Sequence, residues 1–471
     1  MDSLILYIRR GFRAFSKSWV SFWKTKELLK KGIFTLLFLV IFILGTSLTA
    51  PFIRIQNQNQ LSENSFLNTL NLIGGGGLRQ FSLFALGISP FINASLIMMI
   101  LQSKIFPPIY KLSQSGPQGR RKINIITRLV TLIIAYPQAV FLVKSLSAQG
   151  TRGFIEIVGT NILSESTLIY FIIPIILTSA SLVALFISEQ ITNKGIGNGT
   201  SLIIFTGIAA RLPYQFKNAV EYYIGGNGSS GVMTGIIDVV TYFSVYLLTI
   251  LIIAIFYVAE RHIPIQQVGA GRSRNRKEMG KLPIKVNPAG IMPIIFAMMV
   301  LSFPTMIANL LPETSIAKQW INTNLQFTQP VGFTLLVVIV WVFSLLMGIQ
   351  QSKVDKIAED FTKNSTFIPG LRPGEETQDY LIGTVFRLSV FSSIYLLILG
   401  SMQFVQIMAG ILPQSIAFGG TGLMILVSTS IETLDQLKAR RKTMRLARAK
   451  RLSRDINDIN DVNNVDEGLL W

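Results

Sequence analysis

Ten mostly apolar stretches alternate with polar segments along the 471-residue chain. A stretch of about 20 residues in an α-helix is long enough to cross ~30 Å of hydrocarbon. Because most of these stretches approach that length, the pattern predicts an all-α polytopic membrane protein with ten transmembrane helices. The predicted spans are 33–53, 79–102, 123–143, 166–188, 199–212, 236–259, 289–311, 331–349, 388–408 and 416–434.

The basic residues indicate how these spans are oriented. Thirty-four of the 43 Lys and Arg residues lie in every second gap between spans, counting both ends of the chain. Cytoplasmic loops carry an excess of Lys and Arg, so both termini are predicted to be cytoplasmic. The same arrangement accounts for the net charge of +19, which in a soluble chain would suggest a nucleic-acid partner. The chain has no cysteine, which excludes disulfides and thiol chemistry.

The flexible sequence GGNGSSG at 225–231 lies between the fifth and sixth spans and divides the bundle into five and five. A half with an odd number of spans leaves the next half inverted in the membrane, so we predict two pseudo-symmetric inverted halves. This prediction comes from counting spans, because the halves show no residue-level similarity. The predicted parts are an N-terminal segment (1–32), a first half (33–224), an outer hinge linker (225–235), a second half (236–434) and a cytoplasmic tail (435–471).

Both ends of the chain are rich in charge. Residues 1–32 mix aromatic and basic side chains, which fits either an amphipathic helix on the inner membrane surface or a segment that only sets topology. In the tail, a basic helix-forming stretch is followed by an acidic end that we predict to be disordered.

The second, fifth and tenth spans are too polar or too glycine-rich for simple lipid-facing helices. Polar groups at membrane depth are tolerated where they face protein or water, so these spans should line the interior. The segment 66–77 is too short and polar to cross, and is either a re-entrant half-helix or a loop on the outer surface. The predicted interior lacks ionisable groups, which argues against an ion-coupled transporter and favours a neutral pathway sealed by apolar side chains.

Two other functions fit a membrane bundle. A secondary solute transporter with a neutral substrate pathway would need substrate groups at mid-depth, and the spans show none. An intramembrane enzyme would need a catalytic motif, and HExxH, GxSxG and Walker segments are absent. The only histidine, His262, falls in an inner loop and is expected to be a surface residue. We therefore predict no enzymatic activity, no cofactor and no bound metal.

Six segments, in order along the chain, resemble the signature segments of the SecY family, the large channel-forming subunits of the bacterial Sec protein translocase. Six long matches in register are far more specific than any single short motif. They are FALGISPFINAS (84–95), GRRKINIITR (119–128), KGIGNGTSLIIF (194–205), LPIKVNPAGIMPIIFA (282–297), FIPGLRPGEET (367–377) and FGGTGLMI (418–425).

The resemblance implies a protein-conducting channel. Unfolded, signal-bearing polypeptides would cross through an hourglass pore between two halves that are hinged at the outer linker. A re-entrant plug helix would cover about 61–77, including Phe66, Leu67, Leu70, Leu72, Ile73, Gly74 and Gly75. A constriction ring would be formed by Ile88, Ile92, Thr200, Ile204, Ile295 and Ile425. Thr200 departs from the branched aliphatic side chain that is usual in the family.

The resemblance also implies a lateral gate, through which membrane segments leave into lipid, between the second and third spans and the seventh and eighth. Its matching residues are Asn93, Gln138, Asn287 and Phe303. The long inner loops 260–288 and 350–386 would dock partners through Arg272, Arg274, Arg276, Lys277 and Arg372. The family's adjacent arginine pair is not kept, because Ser273 follows Arg272.

The partners implied by the family are SecE and SecG subunits, the SecA motor ATPase, the large ribosomal subunit with its RNA, and signal peptides and nascent chains. A membrane insertase and the lipid bilayer complete this set. The implied location is the bacterial plasma membrane, with both termini in the cytoplasm.

Overall fold

A computed structural model describes residues 26–55, 74–102, 106–147, 155–158, 164–225, 232–267, 280–308, 315–414 and 416–468 of the chain. The described residues are mostly helical. Their helices are α1 (Lys26–Ser47), α2 (Ser89–Leu101), α3 (Pro107–Gln114), α4 (Gly116–Leu146), α5 (Glu165–Lys194), α6 (Gly199–Gly225), α7 (Val232–Val258), α8 (Met292–Ala308), α9 (Ile316–Asn324), α10 (Pro330–Ser352), α11 (Val354–Lys363), α12 (Glu375–Met408) and α13 (Gly420–Gly468).

Short strands accompany these helices and were not part of the all-α prediction. They are β1 (Ile53–Ile55), β2 (Ile155–Ile157), β3 (Glu260–Gln267), β4 (Gly280–Lys285) and β5 (Thr366–Phe367). β1 pairs with β2 in an antiparallel two-stranded sheet. The other three form an antiparallel sheet in the order β4-β3-β5.

A helix lies at each of the ten predicted span positions. Within the described ranges, six helical segments are long and apolar enough to cross a membrane: Lys26–Ser47, Gly116–Leu146, Glu165–Lys194, Met233–Val258, Pro330–Lys363 and Glu375–Met408. α2 is apolar but only 13 residues long, and α8 has 17 residues. The length and composition of these helices therefore support a polytopic membrane protein.

The second predicted span begins later than hydropathy indicates. The prediction starts at 79, whereas α2 begins at Ser89 and is preceded by a 3-10 turn at Gly77–Gln80. Gly87 has a φ of +51°, a left-handed conformation that a right-handed helix cannot include. Pro90 occupies the first turn of α2, the one place in a helix where its missing N–H costs no hydrogen bond. Backbone conformation, which hydropathy does not report, ends this helix early.

Several helices continue beyond their apolar part. α6 runs to Gly225 rather than 212, and α12 begins at Glu375 rather than 388. The acidic end of the tail, which we predicted to be disordered, is helical as far as Gly468. A helix satisfies its own backbone hydrogen bonds, so it does not have to end where the sequence becomes polar.

Described parts of the two segments that were predicted to be long inner loops fold together into one module, which we call the β-platform: β3, β4, β5 and α11. β3 and β4 pair antiparallel from Glu260↔Lys285 to Ile265↔Gly280, and β5 adds to the end of β3 at Gln266↔Phe367. The sheet and α11 share a small apolar core with the start of α12, formed by Ile263, Ile284, Val354, Phe361, Ile368, Leu381 and Val385. The β-platform gives these segments a fixed shape.

The chain divides into two compact units. The larger comprises Phe42–Phe186 and Ile203–Ser428, and the smaller takes the remaining residues, including Ile187–Leu202. In the larger unit α2 packs on α4, α8 on α10, and α10 on α12. In the smaller unit, the turn after α5 is held from two sides: Ile196 N–H donates to Thr35 Oγ1 at 2.9 Å, and Arg440 Nη1 donates to Gly195 O at 2.6 Å.

Candidate functional site

The described part of the predicted plug is its glycine end, Gly74–Gly77; Phe66, Leu67, Leu70, Leu72 and Ile73 lie outside the described residues. Gly75 and Gly76 have φ values of +92° and +88°, which side chains other than glycine rarely adopt. The left-handed turn here directs the chain toward the start of α2. The sequence singled out the glycine run, and the structure gives two of its members this conformational role.

The glycine end packs backbone to backbone against two other glycines. A methyl group on Gly207 of α6 would lie 2.5 Å from the Cα of Gly75, and closer still to its carbonyl. A methyl group on Gly87 would lie 2.5 Å from the carbonyl carbon of Gly74. Contacts this short leave no room for a side chain. We call this set of contacts, Gly74–Gly76 against Gly87 and Gly207, the glycine seat.

The glycine seat lies next to the predicted ring. Gly207 follows Ile204 by three residues, which is about one helical turn along α6. On the other side, Gly87 directly precedes Ile88, the N-terminal cap of α2. The seat is therefore adjacent to ring positions on two separate elements.

The five predicted ring isoleucines are all buried: Ile88, Ile92, Ile204, Ile295 and Ile425. They come from four elements of the larger unit, since Ile88 and Ile92 belong to α2 and its cap and the others to α6, α8 and α13. α2 contacts α8 directly. Burial of branched apolar residues from four separate helices is what an apolar constriction requires.

Thr200, the sixth predicted ring residue, lies in the smaller unit at the first turn of α6. Its backbone N–H donates to Asn198 Oδ1 at 3.1 Å, as expected of an N-terminal cap. Its hydroxyl forms a 3.0 Å hydrogen bond with the hydroxyl of Ser188. The backbone N–H and the hydroxyl of Thr200 therefore both have partners within the smaller unit.

Two of the predicted gate residues, Gln138 and Asn287, form hydrogen bonds with serines and backbone rather than with each other. Gln138 Nε2 donates to Ser89 Oγ at 2.8 Å, which joins α4 to α2. Asn287 accepts from Ser392 Oγ of α12 at 2.6 Å and donates to Gly290 O at 3.1 Å. Within the described residues, Asn93 Oδ1 is buried without a partner.

Phe303 of α8, the fourth gate residue, is 37% exposed. The structure adds Ser89 and Ser392 to this region, and sequence reasoning missed both. Ser89 lies inside the signature segment FALGISPFINAS, so it could have been found there. For Ser392, in the middle of an apolar helix, the sequence carries no such signal.

An aromatic cluster joins α6, α7 and the segment before α13 near the predicted hinge, and sequence reasoning missed it too. Phe216 of α6 packs against Phe243 of α7 with the rings tilted by 50° and their centroids 5.0 Å apart. Tyr246 of α7 packs edge-on against Phe418 at 5.4 Å. The hydroxyl of Tyr242 donates to Ile416 O at 2.9 Å. The cluster of aromatic residues at 214–223 was the available signal.

Of the predicted docking residues, Arg272, Arg274, Arg276 and Lys277 lie outside the described residues. Arg372 is exposed on a rigid turn between β5 and α12. Its N–H donates to Glu376 Oε2 at 3.1 Å, and its carbonyl accepts from Thr377 Oγ1 at 2.7 Å. Gly374 completes the turn with a φ of +120°. The guanidinium is thus presented from a fixed backbone.

The β-platform surface around this turn is charged. On α11, Lys363 Nζ lies 2.6 Å from Glu359 Oε1. The hydrogen bond from Lys363 holds the pKa of Glu359 below its usual value. Exposed pairs of this kind contribute little to stability.

The sequence matches a family model for SecY over residues 82–434. It is 36% identical over 427 residues to the protein translocase subunit SecY of Mycoplasma capricolum subsp. capricolum, with 88% of each chain covered.

Solved channel structures share this fold. The structure of a protein-conducting channel matches with a TM-score of 0.63 at 19% identity, covering 87% of this chain and 92% of that one. Sec61 in the canine ribosome–channel complex matches with a TM-score of 0.59 at 17% identity and the same coverage. At these identities the similarity is one of fold.

Proposed function

The chain belongs to the SecY family, and on that premise we propose that it forms a protein-conducting channel that moves unfolded, signal-bearing polypeptides across the bacterial plasma membrane. The observation that carries the proposal is the glycine seat, because it holds the described end of the proposed plug close to buried isoleucines of α2 and α6. A plug needs a site of this kind, where its backbone packs closely when the channel is closed. The site must also lack interlocking side chains, so that the plug can leave it.

The proposed architecture has ten spans in two inverted halves, 33–224 and 236–434, hinged at 225–235. Helices at all ten predicted positions support the count. The aromatic cluster supports the hinge, because it links the end of α6 to α7 across the linker. Both termini are proposed to be cytoplasmic, with the amphipathic segment 1–32 and the tail 435–471 on that side.

The proposed seal is an apolar ring of Ile88, Ile92, Thr200, Ile204, Ile295 and Ile425. A narrow apolar constriction excludes water by dewetting and therefore blocks ions without any charged gate. The burial of its five isoleucines supports this assignment. Thr200 keeps a branched side chain at the sixth position, and its hydroxyl is hydrogen-bonded to that of Ser188.

The proposed lateral gate lies between α2 and α4 on one side and α8 and α10 on the other, with Asn93, Gln138, Asn287 and Phe303 along it. The contact of α2 with α8 supports a closed seam at this place. Gln138 and Asn287 are each bonded to a neighbouring helix of their own half, so opening the seam would leave those bonds intact. Apolar signal sequences and membrane segments would then leave through the seam into lipid.

The proposed partners are SecE and SecG subunits, the SecA motor, the large ribosomal subunit and a membrane insertase. The β-platform supports cytoplasmic docking, because Arg372 is exposed on a hydrogen-bonded turn that follows β5. Arg272, Arg274, Arg276 and Lys277, which lie outside the described residues, are proposed to act with it. The ribosome is further supported by the similar fold of Sec61 in a ribosome–channel complex. Basic side chains bind ribosomal RNA through its phosphates.

Transport by sealed vesicles tests the proposal. The chain would be reconstituted with its companion subunits, and a signal-bearing polypeptide, the motor ATPase and ATP would be added outside. Protease protection of the polypeptide inside the vesicles is the expected result, and a polypeptide without its signal is the control. Solute uptake driven by an ion gradient, with no protected polypeptide, would instead identify a secondary transporter.

A further inference from the structure

One hydrogen bond crosses the proposed seam away from the predicted gate residues. The amide of Gln350, at the end of α10, donates to the carbonyl of Met99 in α2 at 2.9 Å. We propose that Gln350 is a positioning residue that latches the seam shut and couples it to the β-platform. The inference rests on the proposed channel function and adds the means by which docking would regulate the gate.

Met99 offers its carbonyl because of where α2 ends. The last four carbonyls of a helix have no N–H partner within it, and Met99 is among the last residues before the end at Leu101. A side-chain amide from a neighbouring helix is a suitable partner for such a carbonyl. Gln350 therefore caps α2 from the opposite side of the seam.

Gln350 is also tied to the β-platform at short range. α10 ends at Ser352, and Lys353 adopts a left-handed conformation with φ +45°. Val354 follows and is buried in the core of the β-platform, and Ile349 packs against the same core. Gln350 thus lies between two residues that pack in the core of the β-platform.

Side-chain contacts connect this joint to the docking turn. Gln378 Nε2 of α12 donates to Asp355 Oδ1 of α11 at 2.7 Å. Thr377, its neighbour, holds the carbonyl of Arg372. A partner that binds Arg372 would therefore act on α12 and, through the bond between Gln378 and Asp355, on α11. Gln350 lies at the end of α10, directly before α11 along the chain, so it would be affected next.

The strength of the bond suits a latch. Gln350 is exposed, and hydrogen bonds between membrane helices are weak enough that removing one changes an equilibrium by about 3-fold, rarely more than ~20-fold. A partner that prefers the open seam by this factor would be enough to release it. A much stronger hydrogen bond would keep the seam closed even when a docking partner that prefers the open seam is bound.

The test compares variants of the full channel complex in nanodiscs. The cysteine-free chain allows spin labels at I100C and L346C, across the seam, without background labelling. With no partner bound, Gln350→Leu should raise the open-seam fraction about 3-fold and should transport a polypeptide with a weakened signal more readily. Gln350→Lys keeps a hydrogen-bond donor and should behave like the parent chain.

Gln351→Leu is the matched control. It changes the adjacent residue of the same type, whose Nε2 is buried without a partner among the described residues. If Gln350→Leu and Gln351→Leu give the same distances while the parent chain transports polypeptide, the latch is overturned and the channel stands. If the distances respond as expected but no variant transports polypeptide, the channel proposal fails, and with it the regulatory role of the bond.

Discussion

Alanine at position 207 should break the glycine seat. The new methyl group would lie 2.5 Å from the Cα of Gly75, whereas ordinary contacts begin at 3.4 Å, so the two backbones must separate by about 1 Å. Neither backbone can move independently, because Gly207 lies inside α6 and Gly87 confines Gly74 from the other side. The glycine end of the proposed plug should therefore leave its seat.

Overpacking of this kind costs roughly 1–3 kcal/mol, which corresponds to about a 5- to 150-fold shift toward the unseated plug. The assay is ion conductance of the reconstituted channel in planar bilayers without substrate. Gly207→Ala should raise the resting leak within that range, while polypeptide transport continues because the pore itself is unchanged.

Gly383→Ala in α12 is the matched control. It makes the same substitution inside a helix, but nothing lies within 4 Å of the added methyl group. Its leak should equal that of the parent chain, and its stability should rise slightly because alanine favours the helix. A Gly207→Ala channel that folds and is no leakier than Gly383→Ala would refute the glycine seat as the plug's support.

Three further changes test other contacts. Ile92→Asn places an amide in the proposed ring and should raise ion leak in planar bilayers; a leak equal to that of the parent chain would count against the ring. Tyr242→Phe removes the hydrogen bond to Ile416 O and should lower unfolding free energy by about 1 kcal/mol in thermal melts, and an unchanged Tm would show that this bond adds nothing to the hinge. Arg372→Glu should weaken motor binding about tenfold, the loss of one charge-assisted bond, whereas Lys363→Glu on α11 should have a smaller effect. Equal losses from both variants would mean that net charge alone governs docking.

Hydropathy located the helices but not their ends. The apolar runs of α4, α7 and α10 were predictable because hydrocarbon leaves a chain few other ways to satisfy its backbone. α2 was predicted ten residues too early, since Gly87 and Pro90 act through backbone conformation rather than through polarity. The ring and gate positions were predicted from the signature segments by resemblance, and they stay predictions; the five ring isoleucines are buried.

The β-platform could not be predicted by the same means. Its strands pair across residues 268–279 and with a segment about 100 positions further along, and such pairings leave no local pattern in a polar loop. The partners of Gln138, Asn287 and Gln350 were equally out of reach. Each is a polar residue that needs a hydrogen bond, but the sequence does not say which group supplies it.

The amino-acid sequence by itself determined the membrane setting, the approximate places of the helices and the family, because these follow from consecutive residues and ordered motifs. Only the tertiary structure decided that three consecutive glycines pack against Gly87 and Gly207, that two separate segments form one sheet, and that Gln350 reaches Met99. The physical reason is that solvent preference is a property of each residue in its own segment. Close packing and hydrogen bonding depend on pairs of residues that can be far apart in the sequence. Only folding brings the two residues of such a pair together.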